Sequence, residues 1–137
     1  YYSTSGKNTQ PGYERTDLDT LLRESDIVSV HAPLTDATRG LMKREAFEKM
    51  KPTAVFLNVG RGPIVVEKDL AEALKCGQIA AAGLDVLSAE PMREDNPLRE
   101  IKDSNRLFIT PHIAWASVEA RTGLMDIVLH QIREFFE

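Results

Sequence analysis

Cysteine is almost absent from this chain, and its scarcity limits both the architecture and the redox setting. Cys76 is the single cysteine among 137 residues, so no disulfide can form within the chain. Disulfide frameworks are typical of secreted domains, whereas a lone thiol fits a reducing compartment. We therefore expect a cytoplasmic protein without internal crosslinks.

Long apolar segments and long basic runs are missing as well. A membrane-spanning helix needs about 20 apolar residues, and the apolar runs here are far shorter. No signal-peptide pattern precedes them. The formal net charge is −4, with both signs mixed along the chain, whereas a nucleic-acid binder carries a basic patch. Neither a membrane nor a nucleic acid is an expected partner.

The chain does contain enough apolar residues, 42%, to bury one core in one domain. Short apolar strands alternate with helical segments, a pattern typical of a parallel sheet covered by helices. We predict an α/β, doubly wound parallel sheet. Strands are predicted at residues 27–30, 54–59, 80–86 and 107–109, with an earlier strand end at Tyr1 and Tyr2. Helices are predicted after Thr16 or Asp17, at 43–50, at 67–76 and after Ser117, the last with Leu124, Ile127, Val128, Ile132 and Phe135 facing inward.

Three charged or titratable side chains follow predicted strands in short turns. Arg61 lies in a Gly-Arg-Gly-Pro turn, Glu90 precedes a proline, and His112 ends a Thr-Pro-His turn. Because the carboxyl ends of parallel strands meet at one edge of a sheet, we expect these groups to converge on one pocket. Arginine can hold a carboxylate through two parallel hydrogen bonds, and histidine can donate or accept a proton near neutrality. A carboxylate beside the imidazole favours its protonated form, so the set suits reduction of a 2-keto acid.

Each of these residues also has an ordinary structural interpretation. Arg61 fits a solvated turn, Glu90 a solvated loop and His112 a strand end bonded to backbone. Asp85 fits a strand-end cap, and His31 is as easily structural as ligand-facing. The functional interpretation therefore depends on the occurrence of the three groups together.

Several short motifs occur in a fixed order along the chain. They are His-Ala-Pro-Leu-Thr at 31–35, Asn-Val-Gly-Arg-Gly-Pro at 58–63, Gly-Leu-Asp-Val at 83–86, Glu-Pro at 90–91 and Thr-Pro-His-Ile-Ala at 110–114. On these motifs the chain resembles the nucleotide-binding domain of the D-isomer-specific 2-hydroxyacid dehydrogenases over nearly its whole length. Residues 113–117 and residues 2–5 are most similar to the glycerate dehydrogenase and hydroxypyruvate reductase branch. The resemblance implies a Rossmann-like fold and NAD or NADP as cofactor.

The resemblance also implies roles for individual residues. Arg61 would hold the substrate carboxylate, His112 would be the acid/base, and Glu90 would pair with His112. Asp85 would face the nicotinamide, while His31 and Pro33 would line the adenine side. The residues expected at the cofactor are Ser3, His31, Pro33, Val59, Gly60, Asp85 and Ala114. No metal is implied, and family members commonly form dimers through this domain, which predicts a homo-oligomer.

The family's G-x-G-x-x-G loop is absent from the eight glycines of this chain. The Gly60–Gly62 turn is not a substitute, because Val65 occupies the third glycine position and Pro63 lacks an amide for a phosphate. We expect the first strand and helix of the domain to be missing, so that the strands at Tyr1 and Ile27 lose their partner toward the strand at Ala54.

Residues 1–137 are then expected to be the C-terminal part of a dinucleotide-binding domain, with the substrate domain absent. Such a chain should bind dinucleotide weakly, should not turn over substrate alone, and should associate through exposed sheet edges. Ser3 stands where the family often carries an acid for the ribose hydroxyls, so NAD and NADP both stay open.

Two functions from different classes fit these observations. The first is an NAD(P)-dependent oxidoreductase domain that transfers hydride between nicotinamide and a small 2-keto or 2-hydroxy acid. Hydroxypyruvate/glycerate or glyoxylate is the favoured substrate. The alternative is a non-catalytic dinucleotide-binding or corepressor-like interaction protein.

Overall fold

Four short strands form one parallel sheet in the computed structural model, which describes residues 1–136. The strands are β1 (Ile27–Val30), β2 (Val55–Asn58), β3 (Ala81–Leu84) and β4 (Leu107–Ile109), and they lie in the sheet in chain order. Every pairing is parallel, with Leu57 between Ser29 and Gly83. The predicted α/β, Rossmann-like parallel sheet is confirmed. Because the order is sequential, the reversal that makes a sheet doubly wound does not fall among these strands.

Helices precede, connect and follow the strands. Their bounds are α1 (Leu18–Glu24), α2 (Arg44–Phe47), α3 (Glu67–Lys75) and α4 (Val118–Phe136), with short 3-10 turns at Gly62–Ile64 and Pro97–Glu100. Asp17 caps α1, since its Oδ1 accepts a hydrogen bond from the Thr20 amide at 2.9 Å. After α3, Gly77 adopts a φ of 76°, a conformation that favours glycine and ends the helix. The predicted helices are therefore all present.

The hydrophobic core fixes where β2 ends. Phe47 of α2 packs edge to face on Phe56 of β2, with ring centroids 5.4 Å apart. Leu70 and Leu74 of α3 are fully buried in the same cluster. Burying one such side chain stabilises the fold by about 1.5–3 kcal/mol. This packing holds β2 in register, and so fixes the position of the turn that follows Asn58.

The prediction that the strand at Ile27 has no direct partner in the strand at Ala54 was wrong. β1 pairs directly with β2, with Val30 opposite Asn58, so no strand of the described residues lies between them. Tyr1 and Tyr2 form no strand in the structure, although the Tyr1 carbonyl accepts a hydrogen bond from the Thr16 amide at 2.9 Å. Strand patterns reveal which residues are extended, but the order of strands depends on connections that no local pattern encodes.

The predicted inward face of the last helix was also wrong. Helix α4 has no buried residue, and its apolar side chains are exposed. The exposed fractions include 54% for Leu124, 57% for Ile127, 50% for Ile132 and 82% for Phe135, and Val128 is exposed as well. Helical periodicity identifies an apolar face but does not show whether another part of the chain covers it.

Candidate active site

The turn that carries Arg61 is built around a buried asparagine at the end of β2. Asn58 is fully buried, and its Oδ1 accepts from the Gly60 amide at 3.1 Å while its Nδ2 donates to the Arg61 carbonyl at 3.1 Å. Asparagine suits this place because its side chain can close a turn on its own backbone. The Arg61 side chain is exposed, with Nη1 donating to the Gly60 carbonyl at 2.8 Å. The guanidinium keeps further donors for a ligand.

Glu90 and His112 meet above the ends of β3 and β4. Glu90 Oε2 lies 2.9 Å from His112 Nδ1, and Glu90 Oε1 accepts from the Leu87 amide at 2.9 Å. The Leu87 amide, and then the contact with His112, hold the pKa of Glu90 below its usual value. Both side chains are about two-fifths exposed. Within residues 1–136 no group bonds His112 Nε2, so this nitrogen is available to exchange a proton with a ligand.

A cavity of about 310 Å³ opens beside this pair. Its volume suits a small organic acid, and its walls combine apolar side chains with the two titratable groups. It is lined by Asp85, Leu87, Glu90, Pro91, Met92, Ile109, Thr110, Pro111 and His112.

Asp85 holds the turn that presents His112. Its Oδ1 accepts from the Thr110 hydroxyl at 2.5 Å and from the Ile113 amide at 2.8 Å, and its Oδ2 accepts from the Ala114 amide at 2.9 Å. Burial alone would raise the pKa of Asp85, but these hydrogen bonds outweigh it and the pKa is lowered. The residue is only 5% exposed. Within this turn His112 has a φ of 57°, which few non-glycine residues adopt, so the turn needs such external support.

Arg61 lies in the adjacent turn but does not contact the pair. No hydrogen bond or ion pair in the described part of the chain joins it to Glu90 or His112, and it does not line their cavity. The two turns nevertheless touch through Gly62, where an added Cβ would overlap the Leu87 carbonyl and the Ser88 amide. The structure therefore brings two of the three predicted catalytic residues into contact and the third into the neighbouring loop.

The residues expected at the cofactor fall into two groups. Ser3, His31 and Pro33 line a second cavity of about 350 Å³ beside β1. The Ser3 Oγ is buried and has no hydrogen-bond partner among the described residues, which is uncommon for a buried polar atom. His31 is exposed, with Nε2 2.9 Å from the Ser29 hydroxyl.

The second group lies along the strand ends and is largely engaged within the chain. The Gly60 amide is used by Asn58, and an added Cβ at Gly60 would lie 3.0 Å from the Ala32 carbonyl. The Ala114 amide is used by Asp85. Val59 is 36% exposed and stays accessible. Asp85, with about four acceptor sites of which three are used, keeps room for one further donor.

Sequence reasoning missed three residues that shape this region. They are Glu67, whose carboxylate contacts the loop that carries Glu90, the buried Asn96 and the hydroxyl of Thr110. Glu67 is the first residue of α3, and acidic residues are common in the first turn of a helix, so its position in the sequence alone could not identify it. Thr110 was visible only as part of the Thr-Pro-His motif.

The described residues contain no group of three or more His, Cys, Asp or Glu side chains that could hold a metal ion. None of the helices within residues 1–136 is both long and apolar enough to cross a bilayer.

Comparison with known proteins gives a consistent family. A family model described as "D-isomer specific 2-hydroxyacid dehydrogenase, NAD binding domain" matches residues 1–114. The hydroxypyruvate reductase of Blautia hydrogenotrophica is 47% identical over 121 residues, which cover 88% of this chain and 37% of the relative. The glyoxylate/hydroxypyruvate reductase B of Shigella boydii is 50% identical over 108 residues, which cover 79% of this chain and 32% of the relative.

Solved structures share this fold. An acyclic imino acid reductase in complex with NADPH and D-arginine matches with a TM-score of 0.85 at 32% identity, over 98% of this chain and 42% of that one. The chain spans about a third of the length of the curated relatives it matches. The family model matches most of the chain, and the fold and the strand-end loops agree with it. The chain therefore belongs to the D-isomer specific 2-hydroxyacid dehydrogenase family, through its NAD-binding domain.

Proposed function

We propose that this chain supplies the nucleotide-binding domain and the proton-transfer groups of an NAD(P)-dependent reductase of small 2-keto acids. Hydroxypyruvate, with glycerate as product, or glyoxylate is the substrate favoured by the names of the relatives. The observation that carries the proposal is the 2.9 Å contact between Glu90 and His112 beside a cavity at the carboxyl edge of the sheet. The bound nicotinamide supplies the hydride.

In this proposal the protein provides charge, orientation and one proton. His112 donates a proton from Nε2 to the carbonyl oxygen of the keto acid, and it takes the proton back in the reverse reaction. Glu90, bonded to Nδ1, stabilises the imidazolium and sets the ring orientation. Arg61 binds the substrate carboxylate through its free guanidinium donors, as the planar fork of arginine allows.

The cofactor residues are part of the same proposal. Ser3, His31 and Pro33 hold the adenosine half of the dinucleotide in the cavity beside β1. Ser3 lines this cavity and its hydroxyl has no partner among the described residues, which supports the assignment. Val59, Gly60, Asp85 and Ala114 lie along the path toward the nicotinamide. Gly60 and Ala114 contribute shape rather than amide donors, because both amides are already used.

A chimera tests the proposal, because the match to this chain covers only 37% of the hydroxypyruvate reductase relative. Residues 1–137 replace the matching segment of the Blautia hydrogenotrophica hydroxypyruvate reductase, and NADH and NADPH oxidation is followed with hydroxypyruvate and glyoxylate. We expect His112→Gln to lower kcat by about 10²–10⁴-fold, the usual contribution of a positioned acid or base. Arg61→Gln should act mainly on KM for the keto acid, since it removes a binding contact.

The matched control is His130→Gln, which changes an exposed histidine of α4. If the His112 and His130 variants were equally active, the assigned proton donor would be wrong. A chimera that binds NADH but reduces neither acid would instead favour the alternative of a non-catalytic dinucleotide-binding protein. The expectation that the 137-residue chain alone is inactive stays a prediction.

The proposal also covers the oligomeric state of the chain and its cellular setting. A homo-oligomer, most simply a dimer, is supported by the exposed apolar face of α4 and by the edge strands β1 and β4, where Ile27 and Phe108 are 63% and 65% exposed. Light scattering coupled to size exclusion measures the mass, and a monomer at all concentrations would contradict it. The single cysteine supports a cytoplasmic setting.

A further inference from the structure

The loop that carries Glu90 is closed by a carboxylate from a different element. Glu67, the first residue of α3, accepts from the Ser88 amide through Oε1 at 2.6 Å and from the Asn96 side-chain amide through Oε2 at 2.8 Å. Ser88 and Asn96 lie on either side of Glu90 in the chain. We propose that Glu67 is a positioning residue, which fixes this loop so that the Glu90 carboxylate meets His112. The catalytic meaning of this inference rests on the proposed function, whereas the effect on the pair does not.

Two consecutive backbone amides link Glu67 to the pair. The Leu87 amide donates to Glu90 Oε1, and the next amide, that of Ser88, donates to Glu67 Oε1. Hydrogen bonds to carboxylates are shorter and stronger than bonds between neutral groups. If the Ser88 amide is released, the peptide plane before it can rotate, and the Leu87 amide loses its direction toward Glu90. The effect would reach His112 through the other Glu90 oxygen.

The orientation of the Asn96 side chain is fixed, and it determines the second contact of Glu67. Its Oδ1 accepts from the Leu98 amide at 2.9 Å as the cap of the 3-10 turn, so its Nδ2 must face Glu67. Asn96 is 8% exposed, so a lost partner is not simply replaced by bulk water. Arg93 and Asp95 line the cavity beside the same contact, and Arg93 forms no ion pair with Glu67 among the described residues. The two N–H groups therefore carry the interaction.

The neutral tautomer of His112 reports this positioning directly. A ring whose Nδ1 donates to Glu90 carries its proton on Nδ1, whereas a ring released to water is free to carry it on Nε2. Ring nitrogen-15 spectra of the histidine-labelled 137-residue chain, at a pH where the imidazole is neutral, give the fraction of each form. His31→Asn and His130→Gln spectra assign the signals of the three histidines.

We expect the Nδ1–H form in the parent chain and a shift toward Nε2–H in Glu67→Gln. Glutamine has one oxygen in place of the two of Glu67, so its NH₂ group would face the N–H of either Asn96 or Ser88. One of the two charge-assisted hydrogen bonds is then lost. The tautomer ratio should then change on the order of threefold to tenfold. Asn96→Asp keeps the cap oxygen but removes the donor to Glu67, so it should change the ratio in the same direction. Glu90→Ala marks complete loss of the pair, because it removes both carboxylate oxygens.

Glu72→Gln is the matched control, since Glu72 lies on the same helix and its carboxylate pairs with the exposed Lys75. It should leave the His112 signals unchanged. If Glu67→Gln and Asn96→Asp both fold, as shown by circular dichroism, and both keep the parent ratio, the proposal is overturned. If one of them unfolds, the other decides. In the active chimera, the same Glu67→Gln change should lower kcat more than it changes KM for the keto acid. If Glu67→Gln shifts the tautomer ratio but the parent chimera is inactive, the positioning role is supported and the proposed activity is contradicted.

Discussion

Replacing Asp85 with asparagine should loosen the turn that presents His112 and destabilise the whole domain. The Asp85 carboxylate accepts three hydrogen bonds from residues 110, 113 and 114, and it is 5% exposed. An asparagine keeps one oxygen, which can serve Thr110 and Ile113. Its NH₂ group then faces the Ala114 amide, so that a donor meets a donor. The substitution removes one charge-assisted bond and leaves an unmatched N–H.

The magnitude follows from these contacts. A hydrogen bond to a charged group contributes about 1.5–3 kcal/mol, and the exposed Ala114 lets water satisfy part of what is lost. We expect Asp85→Asn to lower the free energy of unfolding by about 2–3 kcal/mol at pH 7. For a chain of this size the melting temperature should then fall by roughly 6–15 °C. The matched control Asp26→Asn changes a carboxylate that is 80% exposed, and it should cost less than about 1 kcal/mol.

The pH dependence gives the prediction a second test. The pKa of Asp85 lies below its usual 3.8 in the folded chain. A lowered folded pKa contributes stability that is complete above the unfolded value and is lost as the pH falls through the folded value. Urea unfolding followed by circular dichroism should therefore show a constant deficit of Asp85→Asn between pH 5 and 7, and a shrinking deficit below about pH 4. A variant as stable as the parent at pH 7, or a deficit that persists in acid, would refute the reasoning.

Three further substitutions test other parts of the site. Gly62→Ala should destabilise the chain by about 1–3 kcal/mol in urea unfolding, because its Cβ overlaps backbone of the loop at Leu87, whereas Gly123→Ala meets open space and should be neutral or stabilising. In the chimera, Glu90→Gln should lower kcat for keto acid reduction more than it changes KM, because His112 Nδ1 loses its carboxylate partner, and an unchanged kcat would count against the pair. Ser3→Asp should weaken NADPH binding to the chimera by about tenfold relative to NADH in calorimetry, since a carboxylate repels the 2′-phosphate, and equal effects on both would reject the position of Ser3.

Local patterns predicted the elements well, because each element is determined by neighbours in the sequence. The predicted strands at 27–30 and 107–109 have the observed bounds, and Asp17, one of the two predicted caps, begins the first helix. The errors concern relations between distant segments. The direct pairing of β1 with β2 depends on how the connection through α2 crosses the sheet, and the exposure of α4 depends on what packs against it.

In the site as well, residues marked by local patterns could be predicted, whereas contacts between distant segments could not. Glu90 and His112 could be predicted as neighbours, because both follow strands that end at one edge of a parallel sheet. The contact of Glu67 with Ser88 could not, since it joins residues 21 positions apart through one side chain and one backbone amide. A backbone amide carries no signature in the sequence. Sequence reasoning therefore names the groups that do chemistry more readily than the groups that hold them.

The loops at the carboxyl edge of the sheet are held by hydrogen bonds to carboxylates, so their order depends on pH. The sheet is held by backbone hydrogen bonds, which do not titrate, whereas the two loops are tied by Asp85 and Glu90, both with a lowered pKa. Protonating either carboxylate removes an acceptor from a loop but leaves every strand pairing intact. Acid should therefore release the loops that present Glu90 and His112 before it melts the sheet, because the chain separates a titratable site from a scaffold that does not titrate.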